Sequence, residues 1–482
     1  MVLADRAASA QENSVGEESG SEGIRSPQEA KRILIYLIFP AMLMPMVSTM
    51  TSVALPVMRD DFGIQADVAA WIPVIFTLPF MILMPVYGRL GDGLGKRRLI
   101  LVGITIFALG TAISLAATDM SWLMVGRAVQ GIGLAGMMPL GMALVSSIFP
   151  KSGRGKALGT WSTVGPTTAF LGPLVAGFLV AAWGWRGVFV PHLMIALVAF
   201  LAVHRGIPTQ PRLVSSPSFV RSFDWGGVVL LGGLMTCLIF FLSSRSVTGV
   251  APLRDWRLLL AVLGLLGGFL WWERGREDPF VPIGIFADRM FLRGSICACL
   301  RMFSMGALSF LMPLYLVDIQ GLRPAELGGV LMIGAGAMSL VVRLAGGLAD
   351  RWSSRWLVVI GLAIQMAVML ILSRLSEDVP LVWVGVNLGL HGIGAGLMLA
   401  TLHRAVMTGI SQEGMGAAAG LYNMLRFLGA AIGIALSGVL LQGYLDAGLA
   451  AIEAYQNVFF TFAGFPTLGI FIAFTLRESA SG

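Results

Sequence analysis

Charge is what this chain has least of. Asp, Glu, Lys and Arg make up 12% of its 482 residues against 56% apolar side chains, and the mean hydropathy is +0.83. A soluble domain carries roughly twice that charged fraction, so a soluble globular protein is excluded and a polytopic membrane protein is expected. Cysteine is scarce too. Cys237, Cys297 and Cys299 all lie in apolar runs, without the paired spacing of a disulfide framework. Cys297 and Cys299, two apart on a helix, point to different sides and read as small apolar residues, not as a metal pair. The 4 histidines are scattered, which argues against a membrane enzyme with a His, Asp or Cys cluster at one interface, and neither metal nor cofactor is expected. Long loops are missing as well: none exceeds about 20 residues, which leaves no place for an appended soluble domain.

What is present is a series of apolar runs, each long enough to cross a hydrocarbon core about 30 Å thick as a helix. They fall near 34–56, 69–88, 99–117, 122–148, 157–182, 187–206, 226–243, 257–273, 291–317, 325–348, 356–374, 380–405, 415–440 and 457–477. The fold class expected is therefore an all-α polytopic membrane protein with fourteen transmembrane helices. A twelve-span reading would need the short seventh and eighth runs to be interfacial, and their unbroken Leu/Val/Gly/Trp content argues against it. Residues 1–32 are polar, rich in Ser, Glu and Gly, without the apolar core of a cleavable signal; they read as a disordered cytoplasmic tail.

Basic residues set the expected orientation. With the first loop outside, inner loops hold Arg89, Lys96–Arg98, Lys151, Arg154, Lys156, Arg205, Arg212, Arg221, Arg274, Arg276, Arg289, Arg293, Arg351, Arg355 and Arg404. Outer loops hold Arg59, Arg186, Arg245, Arg254, Arg257, Arg323 and Arg374. A ratio of roughly 17 to 7 places both termini in the cytoplasm. The same distribution accounts for the net charge of +7 without invoking nucleic acid.

Between the second and third runs lies Gly88-Arg-Leu-Gly-Asp92-Gly-Leu-Gly95-Lys-Arg97-Arg-Leu99, a glycine-rich basic turn carrying one acid. Glycine permits the tight turn, and the basic run marks the cytoplasmic face. Gly346-Gly-Leu-Ala-Asp350-Arg351 follows the tenth run in the same way. If runs seven and eight are an inserted pair, runs two and ten occupy equivalent places in two six-helix halves, the repeat plan of secondary transporters. The expected organisation is a tail at 1–32, a six-helix bundle at 33–206, a linker with two extra helices at 207–290, a second bundle at 291–477 and a short tail at 478–482.

These residues carry a family resemblance. Gly88 to Leu99 resembles the loop 2–3 signature of the major facilitator superfamily, and Leu123-x-x-x-Arg127-x-x-Gln130-Gly131-x-Gly133 resembles its second signature. In the fifth run, Gly172-Pro173-Leu-Val-Ala-Gly177 resembles the Gly-Pro motif of its antiporters, with Ala176 where a second glycine is usual. Val53-Ala54-Leu55-Pro56, Phe223-Asp224-Trp225-x-Gly227 and Gly420-Leu-Tyr-Asn423-Met-Leu-Arg426-x-Leu428-Gly429 are similar to the fourteen-helix drug:proton antiporter branch. The resemblance implies two six-helix bundles of the major facilitator fold plus an inserted pair. It also implies efflux of small amphiphilic molecules across a bacterial cytoplasmic membrane, and in two-membrane bacteria a periplasmic adaptor as partner. Gly88, Asp92, Gly95, Arg97 and Asp350 then form a conformational switch, with Asp92 placed to meet a helix N-terminus or an arginine. Gly165, Pro166, Gly172, Pro173 and Gly177 soften the fifth helix and let a neighbour approach.

Polar residues inside the runs are expected to face protein or a water-filled cavity. Arg127 and Gln130 share a face of the fourth run; Arg301, Asn423 and Arg426 lie deep in the ninth and thirteenth; Asn387 and His391 sit one turn apart in the twelfth. With Ser48, Thr49 and Ser52 they form the expected central cavity, His391 being equally readable as a packing residue. The branch usually has an aspartate in its first helix. Here that position falls on Val47, and none of the 26 acids lies in the centre of a run. Proton coupling is therefore either displaced, to Asp318 or His391, or absent. A cavity with arginines and no central acid favours neutral or anionic amphiphiles over lipophilic cations, unless each arginine is already paired with helix carbonyls.

Overall fold

The computed structural model describes residues 27–149, 151–208, 223–276, 279–349, 353–407, 410 and 415–476. Fourteen helices within them are long and apolar enough to cross a membrane. They are α1 (Gln28–Asp61), α2 (Ala66–Gly91), α3 (Lys96–Leu115), α4 (Met120–Ile148), α5 (Lys156–Trp183), α6 (Trp185–Gly206), α7 (Trp225–Leu242) and α8 (Trp256–Arg274). The remainder are α9 (Arg289–Asp318), α10 (Pro324–Leu344), α11 (Ser354–Leu372), α12 (Leu381–Met407), α13 (Ala418–Asp446) and α14 (Ala451–Phe474). In hydrocarbon every backbone amide must bond within its own segment, which is why each apolar run becomes one helix.

The acids near the ends of these runs explain how the helices start. Asp119 accepts the backbone N–H groups of Ser121 and Trp122 at 2.9 and 3.1 Å, and Asp288 those of Met290 and Phe291 at 2.6 and 3.1 Å. Asp255 caps α8 through Arg257 and Leu258, and Asp224 caps α7 through Gly227. Each carboxylate satisfies amides that the first turn leaves without partners.

Three boundaries differ from those expected. The first helix begins at Pro27, inside the stretch read as tail, because proline suits a helix's first position and Gln-Glu-Ala-Lys-Arg continues it; residues 1–26 lie outside the described ones. Two spans are interrupted. α4 consists of Met120–Leu134 and Met137–Ile148, and α5 is broken between a helix at Lys151–Ser162 and one at Val164–Trp183. Pro139 and Pro166 lack the N–H that would reach back four residues, to Ala135 and Ser162, where each break begins. The expected tail at 478–482 also lies outside the described residues.

The helices α1 to α6 form one bundle and α9 to α14 another. They meet along three seams, α5 with α10, α2 with α13 and α1 with α9. Because α2 meets α13 as α10 meets α5, the pairing is reciprocal between the halves, as a two-fold repeat produces. The α5–α10 seam is close because it is built on glycine: a Cβ on Gly177 would stand 2.5 Å from the Pro324 carbonyl oxygen, and one on Gly328 would strike that of Pro173. The inserted pair lies to one side, α7 against α2 and α13, and α8 against α7. Large apolar side chains such as Phe178, Val229 and Trp271 face outward, the surface that lipid covers.

Candidate transport site

The helix of α2 continues past its apolar span to Leu94, so the turn before α3 is a single residue. Gly95 ends one helix and starts the next at φ 90°, a conformation that requires glycine. Arg97, the first full turn of α3, donates to the carbonyls of His204 at 2.6 Å and Val203 at 3.5 Å, so it grips the negative end of α6 within its own bundle. Arg89 instead reaches the chain beyond α8, donating to Pro279 O at 3.0 Å. Gly88 packs near Pro139 without crowding. Asp350 and the side chain of Asp92 lie outside the described residues.

The motif of α5 forms the seam with α10. The Pro166 carbonyl accepts the Ser339 hydroxyl at 2.9 Å, Pro173 and Gly177 meet the backbone of α10, and Gly172 faces the Thr49 hydroxyl of α1, while Gly165 has open space beside it. Thr49 and Ser52 spend their hydroxyl protons on the carbonyls of Pro45 and Ser48, at 2.8 and 3.2 Å. Ser48 is exposed.

The polar residues of the runs divide into two groups. Arg127 and Gln130 find all their described partners within the first bundle. Arg127 is 1% exposed inside the first bundle, where Nε donates to Ile72 O at 3.3 Å and Nη1 to Gln130 Oε1 at 2.9 Å. Its guanidinium lies 4.8 Å from the Phe76 ring centroid, and Gln130 Nε2 donates to the Thr111 hydroxyl at 2.9 Å. Asn387 and His391 are buried in the second bundle, as Arg301 is. Asn387 donates to Trp383 O in its own helix at 2.8 Å, and His391 Nε2 stands 3.3 Å from Gln365 Nε2. A short motif identifies an inward-pointing side chain but not which inside it faces, and Gln365 of α11 had no sequence signal marking it as a partner.

Arg301, Asn423 and Arg426 belong to the second group. Arg301 is 2% exposed, and its partners are thioethers, Met305 Sδ at 2.9 Å and Met302 Sδ at 3.8 Å. Arg426 donates to Asn423 Oδ1 at 2.7 Å, and lies over Tyr422 and Phe427. The two guanidiniums are close enough to repel each other, and among the described residues no carboxylate pairs with either. Sulfur is a weak acceptor, so Arg301 is poorly satisfied for a buried cation. Phe427 carries this cluster to the other bundle. It meets Phe80 of α2 edge-on at 4.9 Å, Phe80 stacks on Phe76 at 5.8 Å, and Phe76 lies under Arg127.

Asp318 is part of a clasp at the end of the molecule opposite Gly95. Both its oxygens accept from Arg59 of α1, at 2.8 and 2.7 Å, and Oδ2 also accepts the Tyr455 hydroxyl of α14 at 2.7 Å. It is a bidentate tie between bundles. A second tie at that end comes from beyond α7. Arg245 pairs with Asp446 of α13 and lies 3.9 Å from Asp67 of α2, while Gln442 of α13 accepts the Ala66 N–H at 3.1 Å.

Two six-helix bundles that touch along three seams, with an inserted helix pair to one side, form a polytopic all-helical membrane fold. Residues 37–434 match the Major Facilitator Superfamily, and the chain belongs to that family. It is 31% identical over 423 residues to the puromycin resistance protein pur8 of Streptomyces alboniger, covering 86% of this chain and 83% of that one. It is 28% identical over 400 residues to the multidrug resistance protein Stp of Mycobacterium tuberculosis, covering 83% and 73% of the two chains. Among solved structures, the peptide transporter POT in complex with sulfate superposes with a TM-score of 0.69 at 14% identity, covering 92% of this chain and 94% of that one. That likeness speaks to the fold alone.

Proposed function

We propose that this protein exports small amphiphiles by alternating access, and that Arg301 and Arg426 receive a negatively charged or strongly accepting group of the substrate. The observation that carries this reading is the pair of guanidiniums on α9 and α13, one held by thioethers and neither paired with a carboxylate among the described residues. A ligand carboxylate or phosphate relieves both their repulsion and their unmet hydrogen bonding. Met302 and Met305 adapt to varied apolar bodies. The resistance proteins among its relatives support export as the direction. The excess of basic residues at the Gly95 end supports placing that end, and both termini, in the cytoplasm of a bacterial cell.

In this scheme the Arg59–Asp318–Tyr455 clasp holds the far end shut, and it separates when the bundles rock open there. It is also the group we assign to proton coupling, since a proton on Asp318 loosens its hold on Arg59. Purified protein in liposomes tests both parts. Anionic and neutral amphiphiles are expected to move in preference to cationic dyes, with Arg301→Ala abolishing the preference. Preferential export of cationic dyes, unaffected by Arg301→Ala, would overturn the substrate reading. Efflux undiminished by a protonophore would instead favour a proton-independent exporter, a reading supported by Val47 in place of the branch's aspartate.

A further inference from the structure

A pair of acids lies at the Gly95 end, where α7 begins and α8 finishes. Asp224 Oδ1 accepts the Gly227 N–H at 3.0 Å and the Trp272 indole N–H at 2.9 Å, and Oδ2 accepts the Phe280 N–H at 3.3 Å. Glu273 Oε2 accepts the Val281 N–H at 3.3 Å, whereas Glu273 Oε1 is buried without a hydrogen-bond partner. The two residues are 4% and 3% exposed. They converge on Gly227, where a Cβ would stand 2.5 Å from Asp224 Oδ2 and 2.6 Å from Glu273 Oε1. The unpartnered oxygen of one acid and an oxygen of the other therefore border the same point beside Gly227, which keeps them within about 5 Å of each other.

We propose that Asp224 and Glu273 form a proton-binding site in which Glu273 Oε1 takes up one proton and donates it to Asp224 Oδ2. Two buried carboxylates this close repel each other, and one proton removes a charge while converting an orphaned acceptor into a donor. Asp224 is the member that stays ionised. Burial pushes its carboxyl up, but the Gly227 N–H, the Trp272 indole, Arg276 and the Phe280 N–H together hold it below the usual carboxylate range. The proton comes from bulk water and returns there, with no other bond changed. The charged groups facing the pair are Arg276, whose Nε is 3.5 Å from Asp224 Oδ1, and Arg89 of α2. The charged residues of α13, Arg426 and Asp446, are engaged with Asn423 and Arg245.

The site's position gives the proton a consequence. Phe280 and Val281 are bound by the two acids, and neighbouring Pro279 is bound by Arg89. The proton thus sets how firmly the chain leading from the inserted pair to α9 is fastened to α2. Deprotonation loosens that fastening, and uptake tightens it.

The test uses the full-length protein in lipid nanodiscs. Infrared difference spectra between mildly acidic and alkaline buffer should show a buried protonated-carboxyl band that disappears on alkalinisation, is missing in Glu273→Gln and is shifted in Asp224→Asn. In liposomes, Glu273→Gln, which keeps the donor permanently, should vary less than about twofold across a pH range where wild type varies about fivefold or more. No titrating buried carboxyl in the wild type, the same band in Glu273→Gln, or an unchanged pH profile in that variant would each overturn the proposal. The infrared measurement needs no substrate, so it stands or falls apart from the export reading.

Discussion

Arg127 in the first bundle and Arg301 in the second are both buried, at 1% and 2% exposure, yet their surroundings differ. Arg127 is held by a backbone carbonyl, an amide oxygen and an aromatic face, and the amide is itself held by Thr111. Arg301 has two sulfurs and a second arginine nearby. A cation with strong acceptors on several sides has no need of a ligand; one left with weak acceptors beside another cation does. The first arginine reads as structure and the second as a receiver, though both are inward-pointing arginines in apolar helices. What distinguishes them is the set of neighbours brought by other helices.

The largest expected effect comes from Arg127→Met. Removing the guanidinium leaves the Gln130 oxygen buried without a donor, at a loss of roughly 2 to 3 kcal/mol. Thermal unfolding in detergent, followed by tryptophan fluorescence, should show a clear drop in midpoint, with transport reduced for every substrate. Arg301→Met, placed among Met302 and Met305, should instead change stability by less than about 1 kcal/mol while lowering export of anionic amphiphiles about tenfold. If both variants lose stability equally, the contrast between the bundles collapses and Arg301 is structural. Asp318→Asn comes next. It leaves an acceptor for Tyr455 but weakens the bond to Arg59 by about 1.5 to 3 kcal/mol, so a cysteine placed at buried Leu55 should be alkylated several-fold faster.

The fold was largely legible in sequence, because backbone amides in lipid leave one solution for a long apolar run. All fourteen spans follow from hydropathy, and a glycine-rich turn was expected where Gly95 takes its positive φ. Proline's missing N–H also accounts for the breaks before Pro139 and Pro166, although the runs themselves read as continuous. The site was less legible. Arg127 and Asn387 were expected at the cavity, and His391 there or as a packing residue, because each points inward; a helix face does not specify which partners it meets, such as Ile72 for Arg127 or Gln365 for His391. Asp318 stood out as an acid at a span end, yet its partners Arg59 and Tyr455 lie 259 and 137 residues away in sequence. Glu273 sits at the end of a span, where acids ordinarily meet water; the packing of α7 and of the chain at Val281 against it is what buries it.

The smallest expected effect is the one that sharpens the contrast most. Thr111→Val removes a single hydroxyl, the last link from Arg127 through Gln130, and keeps the β-branched shape. Gln130 Nε2 loses its acceptor, while Arg127 keeps both its own bonds. The expected change is about 1 kcal/mol of stability, with substrate preference unaltered, since nothing at Arg301 moves. Substrate competition in liposomes measures the preference and detergent melting measures the stability. A shift in preference from so small and remote a deletion would mean that the aromatic run from Phe76 through Phe80 to Phe427 transmits the state of Arg127 to Arg426. The first bundle's arginine would then take part in recognition, and the division between a structural and a receiving arginine would have to be given up.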